Sequence, residues 1–238
     1  MCDQHAVSLT RRRLLATGLA GAFVGGLALP AAALQSGSPA AQNTISPDDA
    51  LKRLLEGNAR YASNSSQNRD YSAGRVARSS AQYPIAGLVS CADARVAPEL
   101  AFDQGPGDLF VVRVAGNFVN DDGLASLEYG VKFLGMPLIV VLGHSNCGAV
   151  AATIKVLKDG IALPGHLPQL VAAIKPAIDR AEKAKASDAL AEATLQNIRY
   201  NVRKLEKAGP IIADFVAKGK VKVVGGLYDI ATGRVSLV

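Results

Sequence analysis

Four stretches of this chain are apolar almost without interruption: "PIAGLVSC" (84–91), "LFVVRV" (109–114), "PLIVVLG" (137–143) and "KVKVVGGLYD" (220–229). A strand with one face in water alternates apolar and polar positions, whereas a continuous apolar run of this length fits a strand covered on both faces. Segments with helical periodicity separate the runs, at 123–134, 147–158, 167–185 and 187–207. Upstream, Ser46-Pro47-Asp48-Asp49 reads as a helix start, with serine at the cap, proline at the first position and acids in the first turn. Leu51, Leu54, Leu55 and Tyr61 give that helix an apolar stripe. A polar stretch, 63–80, follows and is expected to wrap over the surface or a partner. "RVSLV" at the C-terminus fits a short antiparallel edge strand. Alternating strands and helices predict an α/β domain with a mainly parallel central β-sheet flanked by helices.

The first 33 residues follow another logic. "SLTRRRLLATGLAGAFVGGLALPAAALQ" runs from Arg11, Arg12 and Arg13 through an apolar Gly- and Ala-rich stretch to Ala31-Ala32-Ala33. That is the layout of a secretory signal with a small-residue cleavage site, and its Thr10 to Leu15 stretch resembles a twin-arginine export signal. A retained membrane anchor is the alternative, disfavoured by the many small residues, Pro30 and the cleavage-like triplet. The expected organisation is a signal peptide over 1–33, a linker over 34–45 and a folded domain over 46–238. The mature protein is expected outside the cytoplasm, in the periplasm or an equivalent compartment, without stable membrane insertion.

With 238 residues, 49% of them hydrophobic, the chain is long enough for one domain with a substantial core. A formal charge of +6 would interest a nucleic acid only if it were gathered into a stripe. It is scattered, so no nucleic-acid partner is expected. Export sharpens the question of the cysteines. Cys2 leaves with the signal, while Cys91 and Cys147 remain and would be a disulfide pair if nothing else claimed them.

Their neighbours suggest something else. Ligand sites in open parallel sheets form beyond the carboxyl ends of the strands. Cys91 ends the first apolar run, His144 follows the third directly, and Cys147 falls in the first turn of the next helix. If the first and third strands are neighbours, the three side chains converge. Two thiolates and an imidazole match a catalytic zinc site with its fourth position left for water, whose pKa zinc lowers to roughly 7. Asp93 and Arg95 follow Cys91 closely. A guanidinium gripping that carboxylate keeps it ionised and acceptor-only. Asp93 could then orient a water on the metal, or swing onto the metal when released. His166, alone in "LPGHLPQ", reads as a surface histidine.

Cys91-Ala92-Asp93-Ala94-Arg95 with His144-Ser145-Asn146-Cys147 resembles the paired C-x-D-x-R and H-x-x-C motifs of the β-class carbonic anhydrases. The similarity is strong over about 85–152, through "FDQGPGDLFVVRVAGN" and "SLEYGVKFLG". It implies a lyase that interconverts carbon dioxide and bicarbonate on one Zn²⁺ per chain. Cys91, His144 and Cys147 would hold the metal, with Asp93 as an occasional ligand, and Asp93 and Arg95 would form a catalytic dyad. It also implies that Gln82, Phe110, Ala115, Tyr129 and Gly148 line the substrate pocket, Gln82 often across a dimer interface. The family forms dimers or larger homo-oligomers. Ala94 and Ala115 stand where many relatives have Ser and Val, and Leu88 and Ser90 differ from the Trp and Gly of the bicarbonate-inhibited subgroup. Three other readings stay open on sequence: the same site acting on CS₂ or COS, a non-catalytic zinc module that would leave Asp93 and Arg95 without a task, and a disulfide-stapled domain that would leave His144 without one.

Overall fold

The computed structural model describes residues 44–238; the expected signal peptide, its cleavage site and nearly all of the expected linker lie outside them. The chain runs α1 (Pro47–Ala62), α2 (Arg75–Ser80), β1 (Ala86–Ser90), α3 (Pro98–Ala101), β2 (Leu109–Arg113), α4 (Asp121–Leu134), β3 (Leu138–His144), α5 (Gly148–Asp159), α6 (Leu167–Ala184), α7 (Ala189–Glu206), α8 (Ile212–Ala217), β4 (Lys222–Tyr228) and β5 (Val235–Leu237). The five strands form one sheet in the order β2-β1-β3-β4-β5. The first four are parallel, and β5 closes the edge antiparallel to β4. This is the sheet that the four apolar runs predict.

Both faces of the sheet are covered along β1 and β3, which explains the missing alternation there, while the edge strand β2 is only half-buried despite its apolar run. Leu88, Leu138, Val140 and Leu142 point into a core with Ala50 and Leu54 of α1 and with Val96 and Phe102. Val89, Ile139 and Val141 point the other way, against Leu127 and Val131 of α4, Ile198 and Leu205 of α7 and Ile212 of α8. Close approach to α7 dictates two glycines. A Cβ on Gly143 of β3 would lie 2.7 Å from the Ile198 side chain, and one on Gly225 of β4 would lie 2.6 Å from it.

Helix α1 starts where the sequence places it, with the Ser46 hydroxyl accepting from the Asp49 amide at 3.1 Å. Expected helix ends elsewhere differ by one or two residues from those observed. Three short helices, α2, α3 and α8, were not expected; at four to six residues they are too short to show a period. The 63–80 stretch lies exposed along almost its whole length. It is tied down where the Gln67 amide donates to the Asp103 carboxylate and Arg69 donates to the Asp103 carbonyl. Among the described residues no helix is long and apolar enough to cross a membrane.

The order of strands fixes where a site can form. From β1 the chain moves to β2 on one side, then crosses back past β1 to β3 on the other. Loops after β1 and β3 therefore diverge and leave a crevice between them, the topological switch point of an open parallel sheet.

Candidate metal centre

Three buried side chains meet in that crevice. Cys91 follows β1, His144 is the last residue of β3, and Cys147 is the residue capping α5. Strands β1 and β3 are neighbours, paired from Gly87 with Ile139 to Ser90 with Leu142. The ligating atoms of Cys91, His144 and Cys147 all lie within 4.8 Å of one another. Both cysteines are free thiols. Val150, Ile174 and Ile178 pack around them, so the wall behind the trio is apolar.

The donor set fits a zinc ion. The Nδ1 of His144 lies 2.9 Å from the Ser145 carbonyl, which assigns Nδ1 as the protonated nitrogen of the neutral ring. Nε2 is then a bare lone pair, fully buried and without a hydrogen-bond partner. A buried polar atom left unpaired costs stability unless something outside the protein claims it. The thiols point to the same occupant. The Cys91 thiol is pushed down to about 4, chiefly by a hydrogen bond from Cys147, with the Gly116 amide helping and burial opposing. The Cys147 thiol is pushed up, because it holds the shared proton against Cys91 and because it is buried. Two sulfurs this close resist both carrying charge without a cation, and a bound metal ion displaces their protons. Burial pulls the His144 imidazole down, but the facing Cys91, the Ser145 carbonyl and Asp93 outweigh it and raise the ring above its ordinary value.

Asp93 stands beside the trio, with Oδ2 3.8 Å from His144 Nε2. Arg95 grips it with both arms of its fork: Nε donates to Oδ1 at 2.9 Å and Nη2 to Oδ2 at 2.7 Å. The Arg95 amide adds a bond to Oδ1 at 2.9 Å. These bonds hold the Asp93 carboxyl well below the usual carboxylate range. The dyad read from the sequence is therefore one bidentate unit at the rim.

Two residues that hold this loop went unnoticed in the sequence. Arg113, the last residue of β2, donates to the carbonyls of Cys91, Asp93 and Val96 at 2.9, 2.9 and 2.8 Å, clamping the turn that carries Cys91 and Asp93. Gly116, at φ +83°, aims its amide at Cys91 Sγ from 3.2 Å. Both sit at the carboxyl end of a strand neighbouring β1, which is the signal that could have found them.

The remaining candidates are dispersed. Ala115 and Gly148 adjoin Gly116 and Cys147 in the chain. Phe110 pairs with Gly87, three residues back from the Ser90–Arg113 pair at the site end of the strands, or about 10 Å. Its ring meets Tyr129, which in turn meets Phe133. Gln82 lines a surface cavity of about 460 Å³ with Arg69, Tyr71, Arg78 and Asp108. Within one chain, Gln82, Phe110 and Tyr129 thus stand apart from the trio. His166 is exposed before α6, as a surface histidine should be.

Residues 86–235 match the family model described as carbonic anhydrase. The chain is 40% identical over 192 residues to a carbonic anhydrase of Mycolicibacterium smegmatis, covering 80% of this chain and 93% of that one. It is 37% identical over 195 residues to carbonic anhydrase 2 of Mycobacterium tuberculosis, covering 80% and 92%. Its fold is similar to that of a Coccomyxa β-carbonic anhydrase solved with acetazolamide, with a TM-score of 0.63 and 29% identity over 79% of this chain and 86% of that one.

Proposed function

This chain belongs to the β-class carbonic anhydrase family, and we infer that it catalyses the reversible hydration of carbon dioxide to bicarbonate and a proton at one zinc ion held by Cys91, His144 and Cys147. The observation that carries the reading is the buried Nε2 of His144, unpartnered between two free thiols and beside an Arg95-locked carboxylate. When bound, zinc supplies a Lewis acid that brings the pKa of a coordinated water to about 7. The protein's own residues do the rest. Asp93, ionised and acceptor-only, takes the O–H of a reacting water and turns the oxygen lone pair toward the substrate. Arg95 keeps that carboxylate charged and holds it at the rim. Carbon dioxide offers no charge to grip, and the apolar wall of Val150, Ile174 and Ile178 suits it. The negative product lies beside a fixed carboxylate, which favours its departure.

Gln82, Phe110, Ala115, Tyr129 and Gly148 are proposed to line the substrate pocket. Because Gln82, Phe110 and Tyr129 lie away from the trio of their own chain, the reading requires a homodimer or larger assembly in which one protomer supplies them to its partner. The exposed Tyr129 and Phe133, 48% and 62% accessible, support such a surface.

Export belongs to the same reading. Residues 1–33 are proposed as a cleaved twin-arginine signal delivering the enzyme to the periplasm. Two sulfurs this close would oxidise to a disulfide in that compartment unless metal already held them. Loading before export, on a route for folded proteins, protects both.

The test is stopped-flow hydration of carbon dioxide by the purified mature protein, before and after a chelator removes the metal. Activity that vanishes with the metal and returns with added zinc is expected. A fully zinc-loaded protein without hydration activity would overturn the assignment.

A further inference from the structure

Helix α7 buries polar side chains on a face that packing alone would fill with apolar ones. Asn197 and Asn201 are each 1% exposed, and with Lys204 they lie at i, i+4 and i+7, one stripe of the helix. All three grip the loop after β2. Asn197 Nδ2 donates to the Gly116 carbonyl at 2.8 Å. Asn201 Oδ1 accepts from the Val119 amide at 2.9 Å, and Lys204 Nζ donates to the Val119 carbonyl at 2.6 Å. Asn201 also donates to the Asn197 carbonyl at 2.9 Å and reaches its side-chain oxygen at 3.3 Å, which fixes the orientation of the Asn197 amide. Burying amides costs stability unless each is bonded, so a stripe like this needs a reason in the loop it holds.

That reason is at Gly116. The peptide whose carbonyl Asn197 holds follows the Gly116 amide, and that amide points at Cys91 Sγ, 3.2 Å away. The residue cannot itself carry a side chain. Its φ of +83° disfavours one, and a Cβ would come within 2.6 Å of Ile174 Cδ1. The aim of the N–H is therefore set by its surroundings: the bond from the Asn117 amide to the Val114 carbonyl closes the turn, and α7 holds the Gly116 carbonyl from outside.

We propose that Asn197 is a positioning residue for the metal centre: by fixing Gly116 it directs an N–H···S bond onto Cys91 and so sets how strongly that thiolate donates to the metal. The proposal rests on Cys91 being a zinc ligand. An N–H donor withdraws charge from a thiolate and orients its lone pairs, and such outer partners typically govern about 10- to 100-fold in metal affinity.

The experiment compares wild type with Asn197→Asp, which keeps the shape and loses the donor, and Asn197→Ala. Each is measured for zinc affinity by chelator competition and, with cobalt(II) in place of zinc, for the sulfur-to-cobalt charge-transfer band. Zinc affinity about 10- to 100-fold weaker and a band moved to longer wavelength are expected in both variants. Leu205→Val, two turns further along the same helix and buried in the core, controls for lost stability and should leave band and affinity unchanged. An unmoved band with wild-type affinity in Asn197→Asp, or an equal shift in Leu205→Val, would overturn the proposal. Should the Asn197 variants not fold, ¹¹³Cd-loaded wild type decides: coupling between the metal and the Gly116 amide proton supports the bond, and its absence refutes it. Zinc content of the wild type separates the two failures, since a protein that binds no zinc refutes the ligand assignment itself.

Discussion

His144 and Cys147 sit three residues apart because the strand must end and a helix must begin between them. Asn146 turns the chain at φ +55°, and Cys147 caps α5. The sulfur stands at the N-terminal end of α5, a position that favours thiolate over thiol once a cation removes the competing proton. Cys147→Ser offers a neutral hydroxyl instead. It should lose zinc by more than about 100-fold in affinity, beyond the cost of losing an outer partner, and activity with it; metal analysis after dialysis checks this. Asp93→Asn should behave differently. The amide cannot accept both arms of Arg95, so zinc should stay while the rate falls by roughly 10- to 100-fold, as zinc content and stopped-flow rates on one preparation would show. Sign matters for the pH dependence. A carboxyl held below its ordinary value is ionised at every pH above that value. Asp93 therefore contributes no ionisation step to the wild-type rate between about pH 5 and 9, and a step assigned to it there would remove Arg95 from its role.

Elements carry the site through close packing, and one such contact lies on α7. Ile198 presses on Gly143 and Gly225 together, one residue before His144 on β3 and three before Tyr228 on β4. Gly143→Ala should destabilise the fold by about 1–3 kcal/mol through overpacking, and Ile198→Val should recover part of that loss; chemical denaturation of the single and double variants measures both. The same packing explains what the sequence disclosed. Strands buried on both faces appear as unbroken apolar runs, so the sheet and the placement of Cys91 and His144 at strand ends were legible, along with the antiparallel strand at one edge. The ligand trio needed one further fact, the neighbouring of β1 and β3, which no local pattern encodes. Arg113 and Gly116 act through backbone groups of a distant loop, and a bond to a carbonyl leaves no mark on the sequence of the residue that accepts it. The Asn197–Asn201 stripe carries no signal of its role in the sequence, because helical period cannot tell solvent from a buried loop.

At the scale of the whole molecule the edge strand β2 and the aromatic row of Phe110, Tyr129 and Phe133 lie side by side. An apolar row of this kind on a protomer fits contact with a second copy. Phe133→Glu should shift the mature protein toward monomer in sedimentation and lower activity in parallel, since the proposed pocket borrows residues across the contact. A monomer with full activity would place the whole pocket within one chain. Replacing the N-terminal segment with a signal for unfolded export should deliver protein with fewer free thiols and less zinc, as thiol titration and metal analysis would record. Beneath these lies the proposed arrangement of three ligands, with Asp93 held back by Arg95 so that a fourth position would stay open. X-ray absorption at the zinc edge of the purified enzyme reads that arrangement directly. Two sulfurs at about 2.3 Å, one nitrogen at about 2.0–2.1 Å and one further light atom in the fourth place are predicted; a zinc shell with a single sulfur, or with three or four, would contradict it.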